Sequence, residues 1–239
     1  MSVAQFIDVC GSRVTQIVCH VARLVDADPS AKVVVFCEYL QQLNLIHDAL
    51  LCAGVSSVAA HQGSPVFAQL YEFKTGRAYG SLGDHATVKH TSVLVMPYSM
   101  CEPSLNLVEA SHIVKAHPYA GADLAMDWII STSENSSLGR AHWSEERWAY
   151  EHLKWREIEH RAMACVVRPG QTRSVQVVRF YAADTLEAWF AKQFGDPMSN
   201  SAYPGKGIVA ALAAEAKALR VPRFRQGSGR ASAVKKNNP

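Results

Sequence analysis

Two short apolar segments constrain the fold of this chain more than any other feature. Residues 32–37 read KVVVFC and residues 91–97 read TSVLVMP, with consecutive apolar, mostly β-branched side chains in each. A strand with apolar side chains on both faces must be covered from both sides, which is typical of the central strands of a parallel sheet. Weaker segments of strand-like composition at 56–61, 109–118 and 174–181 predict further strands of the same sheet.

Helix-forming segments alternate with these strands. The first follows Ser12, which we expect to cap it, and later ones cover 40–54 and 66–76, a segment from Ala122, and a charged segment within 144–164. This alternation predicts an α/β domain with a doubly wound parallel sheet. Because ligands bind at the carboxyl ends of the strands in such sheets, we expect the loops 98–108, 117–121 and 165–173 to gather there.

Composition narrows the class of protein. The 239 residues are 49% hydrophobic and 19% charged, which is typical of a soluble globular domain, and a net charge of +3 alone does not imply a nucleic-acid partner. The six cysteines contain no C-x-x-C pair, which disfavours a disulfide framework or a metal cluster and fits a reducing compartment inside the cell. We find no signal-peptide pattern and no apolar run long enough to span a membrane, so we expect no membrane partner.

The chain divides into a predicted lobe and two flanking segments. We assign 1–11 to an N-terminal extension, 12–198 to the lobe with a helical insertion at 131–160, and 199–239 to a helix followed by a basic tail. Seven Lys and Arg residues and no acidic residue lie in 217–239, which indicates a flexible basic tail. Such a tail is consistent with contact to nucleic acid, with a nuclear address, or simply with a solvated end.

Nucleotide-binding motifs are absent from the chain. There is no G-x-x-x-x-G-K-[ST] loop and no G-x-G-x-x-G turn that follows a strand. The chain therefore lacks a triphosphate cradle of its own. If the chain contacts ATP, it does so on one side of the nucleotide only, and another domain binds the phosphates.

The order of three segments resembles a known family. AKVVVFCEYLQQLNLIHDAL, TSVLVMPYSMCEPSLNLVEASHIVKAHPYAGADLAMDW and RPGQTRSVQVVRFYAADTLEAWF resemble the second RecA-like lobe of the Swi/Snf helicase-like ATPases over roughly 12–195. The resemblance is greatest to the subgroup that joins this engine to a RING-finger ubiquitin ligase with linker-histone and PHD modules. It implies a RecA-like fold and a nuclear, chromatin-associated protein. In the family, a first lobe holds ATP and Mg²⁺, and the two lobes together translocate along duplex DNA.

The resemblance carries specific residues in the final motif. Arg168 falls on the second of two arginines that reach toward the γ-phosphate, and Gly170, Gln171 and Thr172 fall on the G-Q-T that follows. Arg168 is thus the candidate catalytic and ATP-sensing residue, and Gly170 and Gln171 are candidate nucleotide-binding residues. Cys165 replaces the first arginine; a short neutral thiol cannot act as an arginine finger. We therefore expect weakened or lost hydrolysis.

The preceding motif also departs from the family pattern. The LNL of residues 105–107 is kept, and Ser99 and Asn106 are candidate DNA-backbone contacts, together with Arg223 and Arg225 in the tail. Cys101, Glu102, Pro103 and Ser104 stand where glycines are usual, and Pro103 also removes a backbone donor. These changes weaken any contact made by that backbone. For Asn106, the alternative is that its side chain satisfies the local backbone.

Further alternatives stay open at this point. Arg161 or Arg173 would take over the role of the missing arginine if the finger has shifted to a neighbour. The chain would instead be a non-enzymatic scaffold if the lobe has kept only its fold, and the insertion 131–160 is expected to contact a protein partner. We expect Arg168 to point into open solvent without a carboxylate partner; the alternative is a pair with Asp123 or Asp127 that pins the turn.

Overall fold

A five-stranded parallel sheet forms the centre of the molecule. The computed structural model describes residues 3–77, 79, 90–119, 157–183 and 187. The strands are β1 (Val33–Cys37), β2 (Ser57–Ala59), β3 (Val93–Pro97), β4 (His112–Lys115) and β5 (Gln176–Arg179). All neighbouring strands are parallel, in the order β2-β3-β1-β4-β5. The predicted α/β fold with a parallel sheet is confirmed.

The two apolar segments occupy the middle of this sheet. Val35 of β1 is in register with Val95 of β3 on one side and with Val114 of β4 on the other. Every residue of β1 is fully buried. The apolar runs therefore identified the strands that are covered on both faces.

Helices cover both faces of the sheet. On one face lie α1 (Val3–Ala27) and α2 (Leu40–Cys52), which pack against alternate residues of β1, β3 and β4. On the other face lie α3 (Val66–Thr75) and α4 (157–166), together with the connection between β3 and β4. The alternation of strand side chains between two hydrophobic clusters is what a doubly wound sheet requires.

The first helix differs from the prediction at its beginning. Helix α1 starts at Val3 and is interrupted at Gly11, whose φ of 77° and ψ of 161° are strongly disfavoured for side chains larger than hydrogen. Gly11, not Ser12, therefore has the non-helical dihedral angles of a cap position. Phe6, in the segment before the break, is buried in the same cluster as the second part of the helix.

Several expected elements lie outside the described residues. These are most of the loop 77–91, the helix from Ala122, the insertion 131–160 and the segment 199–239. They remain predictions. None of the helices that the structure describes is long and apolar enough to cross a lipid bilayer.

Candidate functional site

The topology corrects where the predicted loops meet. Residues 117–119 follow β4 and lie at the carboxyl edge of the sheet, whereas 167–175, the last turn, precede β5 and lie at its amino edge. The expectation that 165–173 gathers with 117–121 is therefore wrong. The reason is the strand direction: a segment leading into a parallel strand reaches the sheet at the opposite edge from one leaving it.

The β3–β4 connection, residues 98–111, reaches the last turn instead. It starts at the carboxyl end of β3 and crosses the face of the sheet to the amino end of β4. The Leu107 amide donates to the Cys165 carbonyl at 2.8 Å, and the Gln171 side chain donates to the Ala110 carbonyl at 2.8 Å. The two segments that carry the family-like motifs thus form one continuous surface.

Arg168 joins these two segments. Its Nε donates to the Ala164 carbonyl at 2.8 Å, and its Nη2 donates to the Pro103 carbonyl. The side chain is half-buried and folded onto the connection, so the expectation that it points into open solvent is wrong. It forms no ion pair with any residue that the structure describes, a set that excludes Asp123 and Asp127. Its charge is therefore held in place without being neutralised by a described carboxylate.

Gly170 and Gln171 shape the last turn. Gly170 has a φ of 98°, and a Cβ built there would meet nothing within 4 Å, so the backbone conformation rather than space favours glycine. The Gln171 amide donates to Ala110 and, at 3.3 Å, to the Val166 carbonyl, while its Oε1 accepts from the Arg173 amide at 2.9 Å. The Gln171 side chain thus forms hydrogen bonds to backbone groups of three other residues. Its role toward a nucleotide stays a prediction.

Cys165 lies beneath this surface. Its side chain and that of Cys101 are buried in one hydrophobic cluster, and the Cys165 Sγ lies 3.9 Å from the Glu102 carbonyl oxygen. The hydrogen bond from Cys101, followed by the charge of Arg168, lowers the pKa of the Cys165 thiol. The same hydrogen bond, with burial, raises the pKa of Cys101. The position of the family's first arginine is thus occupied by an interior side chain.

Two of the candidate DNA contacts, Ser99 and Asn106, are exposed on the β3–β4 connection. Asn106 Oδ1 accepts from the Val108 amide at 3.3 Å, which is the local backbone bond expected as the alternative to a ligand contact. Ser99 is exposed in the short 3-10 helix Tyr98–Met100. Arg223 and Arg225 lie outside the described residues.

The two neighbouring arginines have carboxylate partners. Arg161 pairs with Glu157 one helical turn away, and Arg173 pairs with Asp28 and also donates to the Ser30 carbonyl at 3.0 Å. Together with its hydrogen bond to Ser30, the bond from Arg173 lowers the pKa of Asp28 to about 2. Arg168 therefore differs from both neighbours in having only carbonyl partners among the described contacts.

A buried cluster of charged side chains at the carboxyl edge of the sheet was not predicted from the sequence. Lys115, fully buried at the end of β4, forms an ion pair with Glu159 of α4, and Arg179 Nη2 lies 3.6 Å from the same carboxylate. Nearby, His117 Nε2 accepts from the Glu38 amide at 3.0 Å. The available signal was a lysine in a strand that is otherwise apolar, because a buried lysine requires a partner.

Comparisons with known proteins give fold-level likeness alone. No family model and no curated protein sequence matches this chain. Among solved structures, it is similar to the C-terminal part of the Fun30 ATPase domain, with 13% identity and a TM-score of 0.47 over 82% of this chain and 52% of that one. It is also similar to the Hef helicase domain of Pyrococcus furiosus, with 14% identity and a TM-score of 0.43 over 76% of this chain and 28% of that one. The chain thus spans about half the length of the first of these.

Proposed function

We propose that this chain is the second motor lobe of a Swi/Snf-like, DNA-dependent ATPase, with weakened or lost hydrolysis. The observation that carries the proposal is the contact between the two motif-bearing segments, in which Arg168 bridges the last turn to the Pro103 carbonyl. Two segments that serve one ligand must share one surface, and these two do. Nuclear location, chromatin and DNA as partners, and the subgroup with a RING finger belong to the same proposal.

In this function the chain supplies charge and positioning, while a first lobe holds ATP and Mg²⁺. Arg168 fits an anion because its guanidinium is fixed by two carbonyls and no described carboxylate competes for it. Guanidinium carries a permanent charge and forked donors that suit a phosphate. Gly170 and Gln171 hold the turn that presents it. ATP bound between the lobes would supply the phosphoanhydride whose hydrolysis drives translocation.

Weakened hydrolysis follows from Cys165. A thiol in the interior contributes no positive charge to the transferred phosphoryl group, and loss of an arginine finger costs on the order of 10³–10⁵ in rate. Ser99 and Asn106 are the proposed DNA contacts of the β3–β4 connection, with Arg223 and Arg225 in the tail. Pro103 lacks the amide that a glycine there would offer to a phosphate.

The test uses the complete gene product, including the first lobe. Arg168→Ala should lower ATP affinity or remove the remaining DNA-stimulated turnover, measured by nucleotide binding and phosphate release. Arg77→Ala is the control, because Arg77 is an exposed arginine outside the two motif-bearing segments. Unchanged binding and turnover in Arg168→Ala would contradict the ATP-sensing role. The isolated chain should hydrolyse no ATP.

The second candidate is a non-enzymatic scaffold derived from such a lobe. It is favoured by the use of two of the three Arg168 nitrogens, Nε and Nη2, on backbone carbonyls, which is how a structural arginine is held. In that case Arg168→Ala lowers the thermal midpoint of the chain and leaves nucleotide binding unchanged. A gene product without a G-K-[ST] loop upstream would support this alternative.

A further inference from the structure

Three aromatic side chains contact one another on the surface of α3 and just beyond its C-terminal end. The centroids of the Phe67 and Tyr79 rings are 5.2 Å apart, with an interplanar angle of 86°. The centroids of the Tyr71 and Tyr79 rings are 5.7 Å apart, with an angle of 76°. Such edge-to-face contacts are a favourable arrangement of aromatic rings. We call Phe67, Tyr71 and Tyr79 the aromatic cluster.

The period of the helix and one glycine bring the aromatic cluster together. Phe67 and Tyr71 are four residues apart and therefore share one face of α3. Phe73 of the same helix is fully buried in the hydrophobic cluster against the sheet. Gly76 ends the helix with a φ of 69°, in the left-handed region, and the chain then returns so that Tyr79 contacts both helical rings.

The rings of the aromatic cluster are open to solvent. The exposed fraction is 68% for Phe67, 59% for Tyr79 and 37% for Tyr71, although each ring touches another ring. Single exposed apolar side chains need no explanation, whereas several in contact form a patch of the kind that marks an interaction surface. The contacts within the cluster hold the rings in place and leave much of their surface free.

The charge beside the aromatic cluster is positive. Lys74 lies three residues after Tyr71 and so on the same side of α3. It forms no ion pair with a carboxylate among the residues that the structure describes. The one acidic residue of α3, Glu72, accepts a hydrogen bond from the Thr91 hydroxyl at 3.0 Å. This surface therefore suits a partner that combines flat apolar groups with negative charge.

We propose that the aromatic cluster binds single-stranded nucleic acid, with unpaired bases stacked on its rings and Lys74 near a phosphate. Aromatic rings beside positive charge bind single strands with little sequence preference, because every base has a face that can stack. Bases in a duplex are already stacked on one another and do not offer these faces. The binding requires neither Arg168 nor a first lobe, so its test is independent of the ATPase proposal.

The experiment measures the binding of the full chain to fluorescent strands of about 12 nucleotides by anisotropy. The probes are a thymidine strand, a uridine strand, and an abasic strand with the same number of phosphates. The abasic strand reports the contribution of phosphate contacts alone, including those of the basic tail. The thymidine and uridine strands should bind at least about fivefold more tightly than the abasic strand, since only they supply bases.

Variants separate stacking from general apolar contact. Phe67→Leu keeps an apolar side chain and removes the aromatic face, so it should reduce the preference for the thymidine strand over the abasic strand. Tyr71→Phe keeps the ring and should retain the preference. Tyr39→Ala is the control, because Tyr39 is an exposed aromatic residue outside the cluster, and it should change neither affinity. Affinity for a duplex of the same length should be equal in Phe67→Leu and in the wild type.

A photochemical measurement locates the contact without any substitution. A strand that carries 5-iodouracil is irradiated with the wild-type chain, and the cross-linked peptides are identified by mass spectrometry. The cross-links should map to Phe67, Tyr71 or Tyr79. Cross-links confined to the basic tail 217–239 would contradict the proposal.

Three further outcomes would overturn the proposal. The first is binding of the thymidine and uridine strands that is no tighter than binding of the abasic strand. The second is a preference for the thymidine strand that persists in full in Phe67→Leu. The third is a dimer of the chain in analytical ultracentrifugation that Phe67→Leu dissociates, because the aromatic cluster would then bind a second copy of the chain.

Discussion

At the scale of single residues, Gln171 is a motif position whose side chain has a structural role. Its one side chain bonds the backbone at Ala110, Val166 and Arg173, and so joins the last turn to the β3–β4 connection. Buried or half-buried backbone carbonyls that lose a donor incur a desolvation cost. Whatever Gln171 does toward a ligand, it first holds the surface on which Arg168 lies.

We predict that Gln171→Ala destabilises the chain by about 1–3 kcal/mol, because two carbonyls lose a donor and the Arg173 amide loses an acceptor. The measurement is the free energy of unfolding from urea denaturation. Gln41→Ala, at an exposed position of α2, is the matched control and should change it by less than about 0.5 kcal/mol. Equal effects of the two substitutions would show that the bonds of Gln171 contribute nothing.

His117 gives the chain a predicted pH dependence. Burial is the main cause of its lowered pKa, and Nε2 accepts the Glu38 amide while Nδ1 lies 2.9 Å from the Pro118 carbonyl oxygen. This arrangement requires a neutral ring. Below about pH 6.5, the pKa of an unperturbed histidine, the unfolded chain takes up protons that folded His117 does not. Stability from this residue is therefore present above that pH and is lost as the pH falls.

We expect the wild-type free energy of unfolding to decrease between pH 7 and pH 5, and His117→Leu to show a smaller decrease. The measurement is a series of urea denaturations across this range, with the slope as the readout, because the substitution also removes two hydrogen bonds. His112, whose pKa is also lowered by burial, accounts for part of the remaining slope. A variant slope as steep as that of the wild type would contradict the role of His117.

At the scale of secondary-structure elements, a buried ion pair fixes α4 to the sheet. Lys115 and Glu159 are almost fully buried, and they join the end of β4 to a helix far away in the sequence. Such a pair stabilises little relative to apolar residues of the same shape, yet removing one partner is costly because a charge stays buried. We therefore expect the pair to determine the position of α4 on the sheet, while it adds little to the free energy of unfolding.

Glu159→Gln should destabilise the chain by about 3–5 kcal/mol, since Lys115 would lose the carboxylate that compensates its charge. Glu157→Gln on the same helix is the control, because its exposed pair with Arg161 is of the kind that contributes about 0.3–0.5 kcal/mol. Chemical denaturation of both variants gives the comparison. The double variant Lys115→Met with Glu159→Leu should recover most of the loss, and a failure to recover would show that the ionic pair itself provides the stability.

At the scale of the whole molecule, the proposed function assigns the ATP contact to the lobe and part of the DNA binding to the basic tail. The lobe presents Arg168 on a fixed surface, while 217–239 carries seven basic residues and no acid. Charge of this kind binds the phosphate backbone without reading sequence, by releasing counterions from the nucleic acid.

Deletion of 217–239 should leave the unfolding curve unchanged and reduce DNA affinity, most of all at low salt. The measurement is the dissociation constant for duplex DNA as a function of salt concentration; the deletion should also flatten the salt dependence. Arg223→Ala with Arg225→Ala should show a part of the same effect. Equal affinities of the full and shortened chains at low salt would remove the tail from the DNA-binding proposal.

The layers of this fold can be predicted from single segments of the chain. Consecutive apolar residues in 32–37 and 91–97 identified the two strands that are covered on both faces. A strand buried on both faces needs apolar side chains at every position, so its own sequence shows that it is buried. The alternation of strands and helices then predicted the class of sheet. In both cases the signal and the structure lie within one segment.

The candidate site, by contrast, is built from contacts between distant segments that no single stretch of sequence predicts. The hydrogen bond of Arg168 to Pro103, the contact of Cys165 with the Glu102 carbonyl and the pairing of Lys115 with Glu159 all join residues far apart in the sequence. Such contacts depend on strand order and on the path of the β3–β4 connection across the sheet. No periodicity within one segment encodes that path. The β3–β4 connection therefore meets the last turn toward the amino edge, while residues 117–119 lie at the predicted carboxyl edge.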